Sequence, residues 1–256
     1  MLPVERVGVM VSVGPQGRKR TAMNERVKWL VYVAGVALVA TAWDHLHGHV
    51  AHFLLFLPPV RAFALDGASS VSFVLAVFYL VRDLGYVLIV MEGFRFLREP
   101  LKRLGLTRFV WWHVPLGIAA AFAFDFAFEI LRLYVPLHQS SVANWTAYHQ
   151  GAARGLAAVL LVLIVGIISP IVQEIYFRGA LIRAFNGVMP AIVSIVISSL
   201  LFGLWHHTGG TDQMAFAFLS GIVQAVLYVR TRSLTAPCAM HIAINLYALF
   251  FVMARY

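Results

Sequence analysis

Polar side chains interrupt three strongly apolar stretches in the C-terminal part of this chain. An ionised side chain at the centre of a bilayer is expensive, by about 2.5 kcal/mol or more, so such residues normally face a protein interior or a wet cavity. They therefore mark candidate functional positions. The residues in question are Gln173, Glu174 and Arg178 in the first stretch, His206 in the second, and His241 and Asn245 in the third.

These residue types suit the hydrolysis of an amide bond by an activated water molecule. A carboxylate and a histidine can take a proton from water as general bases. A histidine N–H and an asparagine amide can stabilise the oxyanion that forms when water attacks the carbonyl. Glu174 and Arg178 are four residues apart, which is also the spacing of a purely structural ion pair on one helix. Neither the serines nor Cys238 has an evident activating partner, so we expect no covalent intermediate.

Composition indicates an all-α membrane protein. Hydrophobic residues make up 61% of the chain and charged residues only 12%, and a crossing helix needs about 20 mainly apolar residues. We predict a polytopic bundle of about seven spans, with an eighth if the proline-interrupted segment 50–65 crosses rather than re-enters. The predicted spans are 28–44, 69–91, 109–131, 153–177, 189–206, 213–230 and 235–253. One integrated membrane domain is expected, comprising a basic cytoplasmic tail (1–26), N-terminal helices (27–150) and catalytic helices (151–256).

The net charge of +9 does not point to nucleic acid, because the basic residues lie in short segments beside apolar spans. Positive segments of this kind remain in the cytoplasm. The bias predicts a cytoplasmic N-terminus, with Arg103 and Arg230 on the cytoplasmic side and Tyr256 outside. The short loops favour a bacterial inner membrane, and the expected partners are the lipid bilayer and a peptide or protein substrate within it.

The order of the polar residues resembles the signature of the CPBP family, which includes CAAX prenyl endopeptidases and bacteriocin-processing or immunity proteins. The matching motifs run from Gln173 to Arg178, from Phe202 to His206 and from His241 to Asn245. The resemblance implies a glutamic-type intramembrane protease without a cofactor or metal. It also implies that His206 helps to activate water and that His241 with Asn245 forms the oxyanion site. We expect Glu174, His206, His241 and Asn245 to share one cavity below the cytoplasmic surface.

One position departs from the family pattern, because Gln173 stands where the family has the glutamate assigned to activate water. A glutamine side chain cannot act as a general base. Three interpretations remain open: Glu174 has taken over this role, the protein is an inactive scaffold or immunity protein, or the glutamine is an engineered substitution. A zinc-dependent hydrolase is a further alternative, since Glu174, His206 and His241 could supply three ligands.

Two other polar groups lie outside these motifs. The tract containing Asp44 and His45 to His52 is predicted to be an interfacial loop after the first span, with a metal site as the alternative. Asp125 and Glu129 lie one helical turn apart within a predicted span. We expect them to pair with Arg82 or to line a cavity.

Overall fold

The described part of the chain is built from helices joined by short connections. The computed structural model describes residues 15–57, 67–96, 100, 104–105 and 109–254, and no strand occurs within them. The helices are α1 (Pro15–Phe56), α2 (Ala68–Phe96), α3 (His113–Arg132), α4 (Ser141–Gly151), α5 (Gly155–Asn186), α6 (Ala191–Trp205), α7 (Gly210–Thr231) and α8 (Thr235–Met253).

The all-α transmembrane fold is confirmed. Five helical segments in the described residues are long and apolar enough to cross a membrane, in α1, α2, α3, α5 and α7, and the shorter helices α6 and α8 are also apolar. These positions correspond to the seven predicted spans. The protein is therefore a multi-pass membrane protein. Segment 58–66 lies outside the described residues, as do Arg103 and Tyr256, so the number of crossings and the orientation remain predictions.

Large apolar side chains cover the outer surface of the bundle. Leu38, Phe122, Phe126 and Ile192 are between 61% and 72% exposed. Such a surface would be unfavourable in water but matches the hydrocarbon of a bilayer. The helices therefore turn apolar side chains toward the lipid as well as into the core, and the buried polar residues lie inside the bundle.

Glycines allow close packing of the helices that surround the site. A Cβ atom at Gly117 of α3 would lie 2.3 Å from the carbonyl oxygen of Ala236 in α8. A Cβ atom at Gly203 of α6 would lie 2.9 Å from the carbonyl oxygen of Met214 in α7. Small residues let membrane helices approach closely and gain van der Waals contact. The two close helix pairs, α3 with α8 and α6 with α7, thus frame the C-terminal region.

The predicted loop at residues 44–52 is wrong, because α1 continues as a helix to Phe56. Packing against α2 explains the difference. The Nε1 atom of Trp43 donates to the carbonyl oxygen of Arg82 at 3.0 Å, and His47 bonds through Nε2 to the carbonyl oxygen of Phe78 at 3.0 Å. A Cβ atom at Gly85 would lie 2.2 Å from Trp43, so the glycine provides the space for that indole ring.

The predicted pairing of Arg82 with Asp125 or Glu129 is also wrong. Arg82 instead pairs with its neighbour Asp83 at 2.9 Å, and the second carboxylate oxygen of Asp83 accepts a hydrogen bond from Ser169 of α5. Asp83 is 1% exposed. The carboxylate that satisfies Arg82 is therefore the nearest one on its own helix, while a hydroxyl from α5 completes the buried cluster.

Candidate active site

Helix α5 contributes the first motif and has an irregular backbone around it. The short α-helical segment Ser169–Glu174 lies between two π-helical segments, Ile164–Ile168 and Ile175–Ile182. Wider turns of this kind occur frequently at functional sites, because they change which side chains share a face. Pro170 at the start of the central segment has no N–H group to continue a regular ladder. The motif side chains are therefore set by a distorted helix.

A charged network lies at the centre of the bundle. The Oε1 atom of Glu174 accepts hydrogen bonds from Nη1 of Arg178 and from Nδ1 of His241, both at 2.8 Å. Glu174 and Arg178 are completely buried, and His241 is 5% exposed. Pairing is required at this depth, because an isolated buried charge is very costly. The carboxylate thus neutralises Arg178 and fixes the orientation of the His241 ring.

Arg178 also connects α5 with α6 and α7. Its Nη2 atom donates to the carbonyl oxygen of Gly221 at 3.2 Å, and its guanidinium carbon lies 4.4 Å from the centre of the Phe202 ring. A Cβ atom at Gly221 would lie 3.2 Å from that same Nη2 atom. The arginine is therefore held by an ion pair, a backbone acceptor and an aromatic face, and glycine at 221 leaves room for it.

His206 directly follows α6 and is oriented by its own helix. Its Nδ1 atom lies 2.8 Å from the carbonyl oxygen of Phe202. A carbonyl oxygen only accepts hydrogen bonds, so Nδ1 carries the proton and Nε2 of the neutral ring has a free lone pair. The Phe202 ring packs edge-on against both His206 and His241, with ring centres 4.8 and 5.5 Å away. The Phe202 ring therefore contacts both imidazole rings and lies between them.

Asn245 of α8 supports the irregular part of α5. Its Nδ2 atom donates to the carbonyl oxygen of Val165 at 2.9 Å. In the π-helical segment each backbone N–H donates to the carbonyl oxygen five residues earlier, as Ser169 does to Ile164. The residue that would donate to Val165 in this pattern is Pro170. Proline has no N–H to give. The asparagine thus supplies the missing donor and retains a second amide N–H.

A cavity of about 1020 Å³ collects most of the predicted site residues. Gln173, His206, His241 and Asn245 all line it, bringing α5, α8 and the turn after α6 together. Glu174 and Arg178 are not among the lining residues. His206, His241 and Asn245 therefore share one cavity, as expected. Glu174 does not line it and instead lies behind His241, to which it is hydrogen-bonded. Gln173, next to it in sequence, occupies the cavity wall.

The mouth of the cavity is formed by polar residues where helices end. Arg132, the last residue of α3, pairs with Glu129 at 2.8 Å and with Asp212 at the start of α7, also at 2.8 Å. Exposed Gln139 and Asn144 line the same part. Asp125 and Glu129 also line the cavity, which confirms the second of the two expectations for them. Gln173 and His241 belong to the buried wall of the cavity.

The sequence interpretation missed Gln224, a cavity residue in the middle of α7. It is 1% exposed, and neither its Oε1 nor its Nε2 atom has a hydrogen-bond partner among the described residues. A buried amide in an otherwise apolar span is a signal that could have identified it, because unsatisfied polar groups in a membrane are costly. Gln173 Oε1 is likewise buried without a partner in the described part of the chain. Two amides with free hydrogen-bonding capacity therefore line one cavity.

The described residues include no group of three or more histidine, cysteine, aspartate or glutamate side chains arranged to hold a metal ion. Glu174, His206 and His241 therefore do not form the three-ligand group that the zinc alternative requires. The histidine tract of α1 gives no such group in the described residues either. No observation on the described residues therefore supports a zinc site at the motifs or a metal site in the histidine tract.

Comparison with known proteins finds similarity over part of this chain. Residues 155–247 match the family model described as Type II CAAX prenyl endopeptidase Rce1-like. An uncharacterised protein of Mycoplasma capricolum subsp. capricolum is 35% identical over 72 residues, which cover 28% of this chain and 20% of that relative. No solved structure matches the chain significantly. The matched region contains α5 to α7 and the motif residues of α8, so the similarity to this family extends over the helices that carry the motifs.

Proposed function

We propose that the protein is an intramembrane endopeptidase that hydrolyses a membrane-anchored or precursor peptide with an activated water molecule. The observation that carries this proposal is the shared cavity of Gln173, His206, His241 and Asn245. Their side chains offer one proton acceptor and several hydrogen-bond donors around a space large enough for an extended peptide segment. A bacterial inner membrane is the proposed location.

His206 is the proposed general base. Its Nδ1–H is engaged by the Phe202 carbonyl, which leaves the Nε2 lone pair to accept a proton from water. The water oxygen bonds to the scissile carbonyl carbon as the proton moves to Nε2. The resulting imidazolium then returns the proton to the departing amide nitrogen as the C–N bond breaks. Positioned groups of this kind typically accelerate proton transfer about 10²–10⁴-fold.

His241 and Asn245 are the proposed donors to the oxyanion. Because Nδ1 of His241 donates to Glu174, the ring can donate from Nε2 only when it is protonated. Asn245 uses one amide N–H for Val165 and retains a second for the oxyanion. Glu174 and Arg178 then act as positioning residues, which orient His241 without touching the substrate.

Gln173 is proposed to position the attacking water. Its Oε1 atom is a buried acceptor without a partner in the described residues, so it can accept a hydrogen bond from water although it cannot take the proton. Transfer of the base function to Glu174 is less compatible with the geometry. The Oε1 atom of Glu174 already serves Arg178 and His241, and Glu174 does not line the cavity.

The test compares His206→Gln with His207→Gln. His207 is the neighbouring histidine, exposed and not part of the cavity, so it controls for loss of an imidazole at the helix end. Purified protein would be incubated with a panel of membrane-anchored peptides, and products would be identified by mass spectrometry. We expect His206→Gln to lower cleavage about 10²–10⁴-fold and His207→Gln to leave it nearly unchanged. Equal loss in both variants would contradict the role of His206.

A second candidate function is supported by Gln173 itself. Loss of the family carboxylate is compatible with an inactive protein that binds a membrane peptide in the same cavity. The variant Gln173→Glu separates the two, because a carboxylate at the wall should raise cleavage that the natural enzyme already shows by about 10²–10⁴-fold. Cleavage that appears only in the variant would identify the natural chain as the binding protein. Peptide binding without cleavage in both forms would favour the binding protein and overturn the enzyme.

A further inference from the structure

Described residues that belong to or lie beside the four basic segments of the sequence meet at one end of the bundle. Fourteen of the twenty lysines and arginines belong to segments 1–28, 95–108, 183 and 230–232. The backbone N–H of Leu234, after α7, donates to the carbonyl oxygen of Gly105, in the connection between α2 and α3, at 3.5 Å. The guanidinium of Arg183 lies 5.7 Å from the ring centre of Trp29 in α1. We call this end of the bundle the basic end.

The mouth of the cavity lies at the opposite end. At the mouth, backbone hydrogen bonds join the segment after α3 to the turn before α7. The backbone N–H of Asp212 donates to the carbonyl oxygen of His138 at 3.1 Å, and the N–H of Ser140 donates to the carbonyl oxygen of Gly209 at 3.2 Å. α3 runs from the basic end to Arg132 at the mouth, and α7 returns from Asp212 to Arg230.

This geometry corrects the expected position of the cavity. The sequence predicted a site below the basic, cytoplasmic surface, but the described exposed residues of the cavity, including Gln139 and Asn144, lie at the other end. The depth of each motif along its helix was compatible with either opening. The arrangement of α3, α4 and the turn before α7 decides between them, because these elements surround the mouth.

We infer that the cavity opens on the extracytoplasmic face of the membrane. Excess lysine and arginine in short loops remains in the cytoplasm, so the basic end is cytoplasmic and the mouth faces outward. The inference depends on segments that flank α2 to α8, so it holds whether or not segment 50–65 adds a crossing. This orientation is a property of the cavity and does not require the proposed peptidase activity.

The orientation also specifies a substrate class, and this part rests on the proposed function. The substrate is a peptide segment on the outer side of the membrane, next to its membrane anchor, such as the exported end of a precursor. A peptide whose cleavable segment stays in the cytoplasm would not reach the mouth. Among the described residues at the outer part of the cavity, Asp125, Glu129 and Asp212 outnumber Arg132, which favours a segment without acidic residues there.

Cysteine labelling in intact cells tests the orientation independently of cleavage. The single native cysteine is removed by Cys238→Ala, and Asn144→Cys at the mouth is compared with Arg230→Cys at the basic end, both at exposed positions. A membrane-impermeant maleimide is added before or after permeabilisation. We expect Asn144→Cys to react in intact cells and Arg230→Cys to react only after permeabilisation. The reverse pattern, or no reaction of Asn144→Cys in intact cells, overturns the inference. Thermal melting of the purified variants checks that each remains folded.

A matched pair of reporters tests the substrate class. One single-span reporter carries a cleavable segment outside the membrane, and the other carries the same segment in the cytoplasm. Co-expression should give cleavage only of the first, and of neither with His206→Gln. Cleavage of only the cytoplasmic reporter overturns the proposed substrate class. Cleavage of neither, with the labelling pattern as expected, would contradict the proposed peptidase function while leaving the orientation intact.

Discussion

Two arginine–glutamate pairs in this protein have nearly the same local geometry and very different surroundings. Glu174 and Arg178 are one helical turn apart with a nitrogen–oxygen distance of 2.8 Å, and both side chains are 0% exposed. Glu129 and Arg132 are also about one turn apart at 2.8 Å, but their side chains are 57% and 39% exposed. The first pair is therefore a buried structural unit, whereas the second pair lies at the cavity mouth in contact with solvent.

The comparison teaches that the neighbours of a charge decide its role more than its sequence spacing does. At the centre, Glu174 also binds His241 and Arg178 also contacts Gly221 and Phe202, so the pair together joins α5 to three other helices. At the mouth, Arg132 is shared between Glu129 and Asp212, and water can replace a lost partner. Three of the four predictions below test this difference, and the other tests the hydrogen bond of Asn245.

The largest expected effect follows Arg178→Met, which leaves the Glu174 carboxylate buried without its cation. Breaking one partner of a buried ion pair costs about 3–5 kcal/mol. Unfolding of the purified protein in mixed micelles with increasing denaturing detergent would measure the loss. Arg132→Met is the matched control at the mouth. Losses of similar size in the two variants would show that burial does not distinguish the pairs.

The next effect is the recovery expected when both central charges are removed. In Glu174→Gln/Arg178→Met the glutamine oxygen can still accept the bond from His241, and no unpaired charge remains. Replacing both members of a buried pair is often neutral, so we expect the double variant to unfold within about 1–2 kcal/mol of the natural protein. A double-mutant cycle on the same unfolding assay gives the coupling energy. A coupling energy near zero would contradict the assigned pair.

A smaller effect is expected for Asn245→Ala, which removes the donor to the Val165 carbonyl. Hydrogen bonds between membrane helices contribute about 0.6 kcal/mol on average and up to about 1.7 kcal/mol. The structural explanation involves Pro170, so Pro170→Ala provides a specific check by restoring a backbone N–H. In that background, Asn245→Ala should cost less than it does in the natural chain. An unchanged cost would mean that the missing N–H of Pro170 is not what Asn245 supplies.

The smallest effect is expected for Glu129→Gln at the mouth. Exposed ion pairs contribute about 0.2–1 kcal/mol, and salt screens them. The change in unfolding free energy should therefore stay below about 1 kcal/mol and shrink further when salt is raised. The same salt series on Arg178→Met should give little change, because the central pair is buried. A salt-dependent loss at the centre would indicate that water reaches Glu174.

Much of the candidate site could be predicted from the sequence because helical spacing is strict. Four-residue separations placed Glu174 beside Arg178, and polar residues in apolar spans identified His206, His241 and Asn245. The partner of Arg82 could not be predicted in the same way. The sequence separation between Arg82 and Asp125 does not show whether their helices are neighbours. In the structure Arg82 pairs with the adjacent Asp83, which also accepts a hydrogen bond from Ser169.

The sequence by itself determined the class of the protein, the approximate spans, the motif residues and the four segments that hold most of the positive charge. The tertiary structure alone decided that Gln173 lines the cavity while Glu174 lies behind His241, and that the cavity opens away from the basic end. Adjacent residues on a helix point in directions about 100° apart, because one turn contains 3.6 residues. Which of the two directions meets a cavity depends on the neighbouring helices and on the π-helical segments of α5, and helical spacing in the sequence does not specify either.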